Sequence, residues 1–258
     1  MKVLVAGKGF IGSEVGKRLE EHGHEVKYLD VDDADYEQDI TREFEVPESF
    51  DVLVHSVGLA PGFYTREKYR EVHVDGTENL LNAVDAERVV YLSALGVGEV
   101  DHSFFSTKER AEGLVRHVAE EPVFVRPSTV YGEGNRLLEL MRKLSWTRLF
   151  PSLHVETQPI LREDLVEVVV KSVEGEAEGV VNAAGPEKMK ISGLASKIYA
   201  EQGRKCFVFP APLILQRLTL RLLSFLPPPF EPENVALLSH NNSTDDNHAA
   251  KLVELSSI

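Results

Sequence analysis

The residues best suited to chemistry stand at the very start of the chain. Gly7-Lys8-Gly9-Phe10-Ile11-Gly12 follows the apolar run Val3 to Ala6 and opens onto helical spacing at Ile11, Val15 and Leu19. Strand, glycine turn and helix in that order are the context in which G-x-G-x-x-G binds a pyrophosphate. Gly7 permits the tight turn, and Gly9 carries no side chain to hold a phosphate off the backbone. Gly12 lets the helix pack close to the strand, so its first N–H groups, past Phe10 and Ile11, face the phosphates. A second apolar stretch, Glu25 to Leu29, ends in Asp30, eighteen residues beyond Gly12. A carboxylate at that distance accepts hydrogen bonds from the adenosine ribose hydroxyls. The expected chemistry is dinucleotide binding. Ser93 ends the run Arg88 to Leu92, the position where parallel α/β sheets present groups to ligands. His55, at the end of Phe50 to Val54, reads as a packed, hydrogen-bonded histidine.

These groups need strands that end together. Helix spacing runs from Phe10 to His22 and stops at Gly23, a C-terminal cap. The acidic stretch after Asp30 leads to Asp39 and Ile40, placed at the end of a third strand beside the adenine. The fourth strand, Phe50 to Ser56, turns at Val57 and Gly58, and Tyr69, Val72, Gly76, Leu80 and Ala83 share one helix face. Gly76 costs that helix about 1 kcal/mol against alanine, which points to close packing by a neighbour. Ser103 is suited to cap the next helix, whose buried face is Ala111, Leu114, Val115 and Val118; Val123 to Val125 and Val180 to Asn182 supply two more strands. Strands alternating with helices at this spacing predict an α/β fold with a doubly wound parallel sheet, and a smaller substrate domain towards the C-terminus. The boundaries expected are 1–132 with 158–184 for the dinucleotide-binding domain, and 133–157 with 185–258 for the smaller one.

Beyond residue 133 the alternation breaks. A helix is predicted over 136–150, with Arg136, Arg142, Lys143 and Arg148 giving it a basic face. Such a face is either solvated or meets an anionic substrate group such as a second phosphate. A further helix covers 191–202. Residues 212–226 are apolar apart from Arg217 and Arg221. They are too short and too charged for a bilayer span, and a helix packed over the substrate domain is preferred to an interfacial one.

Composition narrows the partners. With 42 acidic against 28 basic residues the formal charge is −14, which repels a nucleic-acid backbone and suits a heavily solvated surface, as in a salt-rich cytoplasm. Cys206 is the single cysteine, so no intrachain disulfide forms and a reducing cytoplasm is the expected compartment. The N-terminus reads as a strand and not as a signal peptide. No metal-ligand pattern stands out.

Taken together the motifs resemble the extended and atypical short-chain dehydrogenase/reductase family, the NAD-dependent epimerase/dehydratase group, to about residue 200. The resemblance rests on the glycine turn, Asp30, Asp39-Ile40, Asp51 to His55, Gly76-Thr77-Glu78-Asn79-Leu80-Leu81, Ser93, Lys108, Arg126 to Gly132, Asp164, and Asn182 with Gly185-Pro186. The C-terminal stretch resembles the branch that includes the NAD(P)-binding accessory subunit of respiratory complex I. The resemblance implies that Gly7, Gly9, Phe10, Ile11, Gly12, Asp30, Asp39, Ile40, Ser56, Val57, Gly58, Ser93, Lys108 and Pro127 contact the cofactor. It also implies catalysis by a serine, here Ser93, with a Y-x-x-x-K pair whose lysine is Lys108.

Residues four apart on a helix share a face, so the lysine ammonium would stabilise a phenolate, which is otherwise a poor base at neutral pH. Here the position four before Lys108 is Phe104, and phenylalanine has no proton to exchange. The glycine turn is also one residue shorter than the usual family form, and His73 stands where family members commonly carry asparagine. The preferred expectation is a dinucleotide-binding protein with weak or absent redox chemistry, whose bound cofactor stabilises an assembly or reports its redox state, the assembly being a homo-oligomer or something larger. The alternative is an active epimerase or reductase on a nucleotide sugar or other small substrate, with Tyr64, Tyr131 or His102 as displaced base. NAD is expected over NADP, because Asp30 would repel a 2′-phosphate and no arginine adjoins it.

Overall fold

The structure is a computed structural model, and it describes residues 1–152, 155–210, 232–238 and 240–258. Its centre is a seven-stranded, wholly parallel sheet. The strands are β1 (Lys2–Ala6), β2 (Glu25–Asp30), β3 (Tyr36–Glu37), β4 (Ser49–His55), β5 (Asp85–Leu92), β6 (Glu121–Pro127) and, late in the chain, β11 (Gly179–Ala183). They lie in the order β11-β6-β5-β4-β1-β2-β3. The cause is visible in the residues: Val3 to Ala6, Val52 to Val54, Val89 to Tyr91 and Val123 to Val125 are unbroken apolar runs and are buried, as strands covered on both faces must be.

Helices α1 (Gly12–Glu21) and α6 (Arg162–Val173) pack together over one face. Val15 and Leu19 meet Leu165, Val169 and Val173 in the core there. The other face is covered by α3 (Gly76–Ala83) and α4 (Ser103–Val118), whose Leu80, Ala111 and Val115 join Leu4, Leu53, Tyr91 and Phe124. A third apolar cluster gathers α5 (Arg136–Leu144) and α7 (Ile191–Glu201) around Leu138, Met141, Leu194 and Ile198. The tail returns to the sheet: Ala249 sits in the first cluster with Leu252, Val253 and Leu255 against it, while Ile258 packs against the third.

Three local expectations are corrected. Asp39 and Ile40 do not end the third strand, which stops at Glu37. The Asp39 carboxylate instead accepts from the Thr41 amide at 3.0 Å and its hydroxyl at 2.8 Å, closing a turn. The helix begun at Arg136 stops at Leu144 and not at residue 150. A 3-10 turn, Ser145–Thr147, follows, and Arg148 adopts a left-handed φ of 58° before β8 (Leu149–Ser152). The face from Tyr69 to Ala83 is not one regular helix. α2 (Arg66–Arg70) and α3 are joined by a π turn, Glu71–Asp75, which buries Val72, His73 and Val74 in succession. Gly76 is packed as expected, since a Cβ there would lie 2.8 Å from the Ile40 side chain. The stretch 212–226 lies outside the described residues, and among the described residues no helix is long and apolar enough to cross a membrane.

Candidate cofactor and active site

The strand order reverses beside β1, where the chain passes from β3 on one side to β4 on the other. The crevice beyond the carboxyl ends of β1 and β4 is therefore the switch point at which such sheets take ligands. The glycine turn fills its rim. Gly7 has φ 98°, and its N–H donates to the Leu29 carbonyl at 2.8 Å. A Cβ at Gly12 would stand 1.8 Å from the Gly7 carbonyl oxygen, and one at Gly7 would stand 2.8 Å from Ser56 Oγ. A Cβ at Gly9 would meet nothing within 4 Å. Gly7 and Gly12 thus shape the turn, while Gly9 leaves open space where a pyrophosphate would lie. Ser56 Oγ lies 2.9 Å from both the Ala6 and Gly7 carbonyl oxygens, tying β4 to the turn. The Asp30 carboxylate accepts from the Lys8 amide at 2.5 Å and the Val31 amide at 2.7 Å. The Lys8 ammonium is drawn aside to Asp33 Oδ2 at 2.8 Å.

Further along the crevice the polar groups are buried and engaged with one another. Lys108 Nζ donates to the Leu92 carbonyl at 2.7 Å, stands 4.7 Å over the Tyr91 ring, and lies 3.0 Å from where a Gly58 Cβ would be. Burial pushes its pKa down to about 7, against the upward pull of Glu112. One turn earlier the Phe104 ring stands edge-on to Tyr69, His73 and Phe105 at 5.8, 5.5 and 4.9 Å. His73 Nε2 accepts the Leu59 amide at 3.0 Å, so its proton is on Nδ1 and is donated to Thr107 Oγ1 at 2.9 Å. Burial, with Lys108 nearby, holds His73 well below the usual histidine range and keeps it neutral. Ser93 Oγ donates to Glu112 Oε1 at 2.5 Å, and Arg126 grips that carboxylate through Nε at 2.9 Å and Nη2 at 2.6 Å. The serine hydroxyl therefore adds to an ion pair whose carboxylate is buried and whose guanidinium is half-buried.

A glycine turn on a parallel sheet, with a serine and a lysine at the strand ends, is a broad arrangement, and the comparison with known families narrows it. Residues 3–153 match the NAD dependent epimerase/dehydratase family. The chain belongs to that family. Among curated proteins it is similar to the mitochondrial 40 kDa subunit of NADH-ubiquinone oxidoreductase from Neurospora crassa, 34% identical over 74 residues. That match takes in 27% of this chain and 20% of the subunit, so the chain spans about a fifth of that relative's length. Among solved structures, the human epimerase family protein SDR39U1 with NADPH superposes with a TM-score of 0.77 at 19% identity, covering 99% of this chain and 95% of that one. A dTDP-4-dehydrorhamnose reductase from Clostridium acetobutylicum gives 0.70 at 24% identity, covering 82% and 84%. These likenesses establish the shared fold.

In this epimerase/dehydratase-family chain the three candidate replacement bases have separate surroundings. His102, not Ser103, caps α4: its Nδ1 accepts the Phe104 amide at 3.0 Å, leaving Nε2 to donate to Asn234 Oδ1 at 2.8 Å. Ser103 becomes the first helical residue, and its hydroxyl donates to Glu233. The Tyr131 hydroxyl donates to Glu201. Tyr64 lies edge-on to Tyr69 at 6.0 Å, with the Arg136 guanidinium 5.2 Å over its ring. The basic face is divided as well. Arg136 is on Tyr64, Arg142 is 3.8 Å from Glu201, and Arg148 is exposed beyond the helix. His55 is the packed histidine expected, fully buried, with Nε2 2.8 Å from Thr77 Oγ1 and burial depressing its pKa to about 3. Glu112 and Thr107 were not anticipated, and Arg126 entered only as part of a family motif, without a role. For Glu112 a signal existed: Phe104, Lys108 and Glu112 follow one another at four-residue steps along one face of α4. Among the described residues no acidic, histidine or cysteine cluster could hold a metal.

Proposed function

We propose that this chain binds a nicotinamide dinucleotide with weak or no redox turnover, the cofactor supporting an oligomer or larger assembly. The observation that carries this reading is Phe104, packed against Tyr69 and His73 in the turn before Lys108. The engagement of Ser93 with Glu112 supports it, since the hydroxyl that would orient a substrate oxygen already has an acceptor. In this reading Gly7, Gly9, Phe10, Ile11 and Gly12 hold the pyrophosphate and Asp30 holds the adenosine ribose. Asp39 and Ile40 lie beside the adenine, and Ser56, Val57, Gly58, Ser93, Lys108 and Pro127 line the nicotinamide end. The cofactor, when bound, supplies a hydride acceptor or donor. Lys108, facing the crevice past Gly58, is the residue to hold the nicotinamide ribose. The single Cys206 suits a reducing, cytoplasmic setting.

NAD is preferred to NADP. Asp30 would repel a 2′-phosphate, and Lys8, the nearest cation on the turn, is paired with Asp33. Calorimetric titration with both cofactors tests this: NAD binds more tightly, and Asp30→Ala narrows the difference. Tighter binding of NADP to the unaltered protein overturns it.

The turnover claim is tested by Phe104→Tyr, which returns a phenol to the turn before Lys108. Acid–base assistance of this kind is worth about 10²–10⁴-fold in rate. Nucleotide sugars are the first panel, because the Clostridium reductase named above acts on one. The unaltered chain binds NAD without cofactor absorbance changes on this panel, and Phe104→Tyr gains them. If the unaltered chain turns over and Phe104→Tyr leaves the rate alone, it is an active nucleotide-sugar enzyme. Tyr64, which has no hydroxyl partner among the described residues, is then the first base to replace.

A further inference from the structure

Among the described residues, a run of exposed apolar side chains lies far from the glycine turn in sequence, beside the third cluster. β8 pairs in parallel with β13 (Phe207–Pro210), with Leu149 opposite Phe207 and Phe150 opposite Val208. Phe150 is buried, whereas Leu149 on the same strand and Phe207, Val208 and Phe209 on its partner are all exposed to solvent. Phe207 is 57% exposed and Leu149 53%. Trp146, on the turn that feeds β8, is 72% exposed, and Leu144 at the end of α5 is exposed beside it in sequence. The Phe207 amide donates to the Arg148 carbonyl at 2.7 Å, and Arg204 Nη1 to Ser145 Oγ at 2.6 Å, so the two segments form one surface.

The charges on this surface have the opposite sign to the molecule. Lys143, Arg148 and Lys205 are exposed around the apolar side chains, and none has an ion pair among the described residues. They stand out in a chain of formal charge −14. The sequence carries the same mixture onward from Pro210 into 212–226, whose only charges are Arg217 and Arg221. A second copy docking here by two-fold symmetry would set this cationic patch against itself. An anionic bilayer surface meets both features at once: tryptophan, phenylalanine and leucine enter the headgroup boundary, and lysine and arginine meet the phosphates. We propose that this face, centred on Trp146, Leu149, Phe207 and Phe209, docks the protein peripherally on membranes rich in anionic phospholipid.

Trp146 is the only tryptophan in the chain, so its fluorescence reads the docking face directly. The full chain is mixed with vesicles of phosphatidylglycerol and phosphatidylcholine in equal parts, and separately with pure phosphatidylcholine. The expected result is a blue-shifted emission, protection from acrylamide and co-sedimentation with the mixed vesicles, at least tenfold weaker with phosphatidylcholine alone. Lys143→Gln and Lys205→Gln each weaken partition about fivefold. Phe207→Ser with Phe209→Ser weakens it more than tenfold. All these side chains face solvent, and an unchanged melting temperature confirms that each variant is folded. Three results overturn the proposal: no spectral shift with either vesicle, an equal shift with both that ignores the lysine variants, or a concentration-dependent shift without lipid. The last assigns the face to a second copy of the chain.

Discussion

Lys108 is the residue on which the site's electrostatics turn. Its ammonium is buried with a carbonyl, a tyrosine face and, one turn on, the Glu112 carboxylate already shared by Ser93 and Arg126. Folding lowers its pKa from 10.5 to about 7. Between those values the unfolded chain holds a proton that the folded chain has released, so stability rises with pH across that window. Below about pH 7 both states are protonated and the full penalty of a buried charge is present. Lys108→Met therefore raises the melting temperature most near pH 6, and the gain shrinks towards pH 10. A gain that is flat with pH contradicts the assignment. Removing the neighbouring carboxylate has the opposite effect on stability. Glu112→Ala strands the half-buried Arg126 guanidinium and costs about 3–5 kcal/mol, read by denaturant unfolding. A loss below 1 kcal/mol would show that the pair is replaceable by solvent.

At the scale of elements, the glycine turn separates what shapes the backbone from what leaves room for a ligand. Gly9→Ala adds a methyl to open space, so the melting temperature stays within about 2 °C while NAD affinity falls at least tenfold. Gly12→Ala drives a methyl into the Gly7 carbonyl and lowers stability by more than 2 kcal/mol, an overpacking cost. If both variants melt alike and bind alike, the turn does not hold a pyrophosphate. This turn was legible in the sequence because everything it needs is local: an apolar run, three glycines and a helical period within nineteen residues. The ends of β4 and β5 were legible for the same reason. The Ser93–Glu112–Arg126 group was not, since it joins β5, α4 and β6 and no local pattern states their relative placement. The π turn that carries His73 leaves the apolar spacing almost helical. The stop of α5 was hidden because Arg148, and not a glycine, takes the left-handed conformation after it.

The whole molecule carries 42 acidic and 28 basic residues, and the ion pairs on its surface are mostly solvent-exposed. Exposed pairs contribute little, so net repulsion dominates the salt response. Raising salt from 0.1 to 1 M shortens the screening length from about 10 to about 3 Å, and the melting temperature rises by several degrees. A fall would mean that the pairs outweigh the repulsion. The tail gives the molecule a different kind of dependence, one of time. Its last stitches reach back from Asn242 to Ser128 and from Ser256 to the Asp164 carboxylate at the start of α6. Asp164 and Ser256 are 92 residues apart. A ribosome adding about 5–20 residues per second needs about 5–18 s to supply the second after the first. For most of that interval, once Gly179–Ala183 has been made, the nascent chain has its sheet strands but not the segment that seals them, and an Ala249–Leu252 face is missing from the core. The core is thus sealed only after residues 242–256 have been made, and until then the emerging chain exposes the apolar surface that they cover.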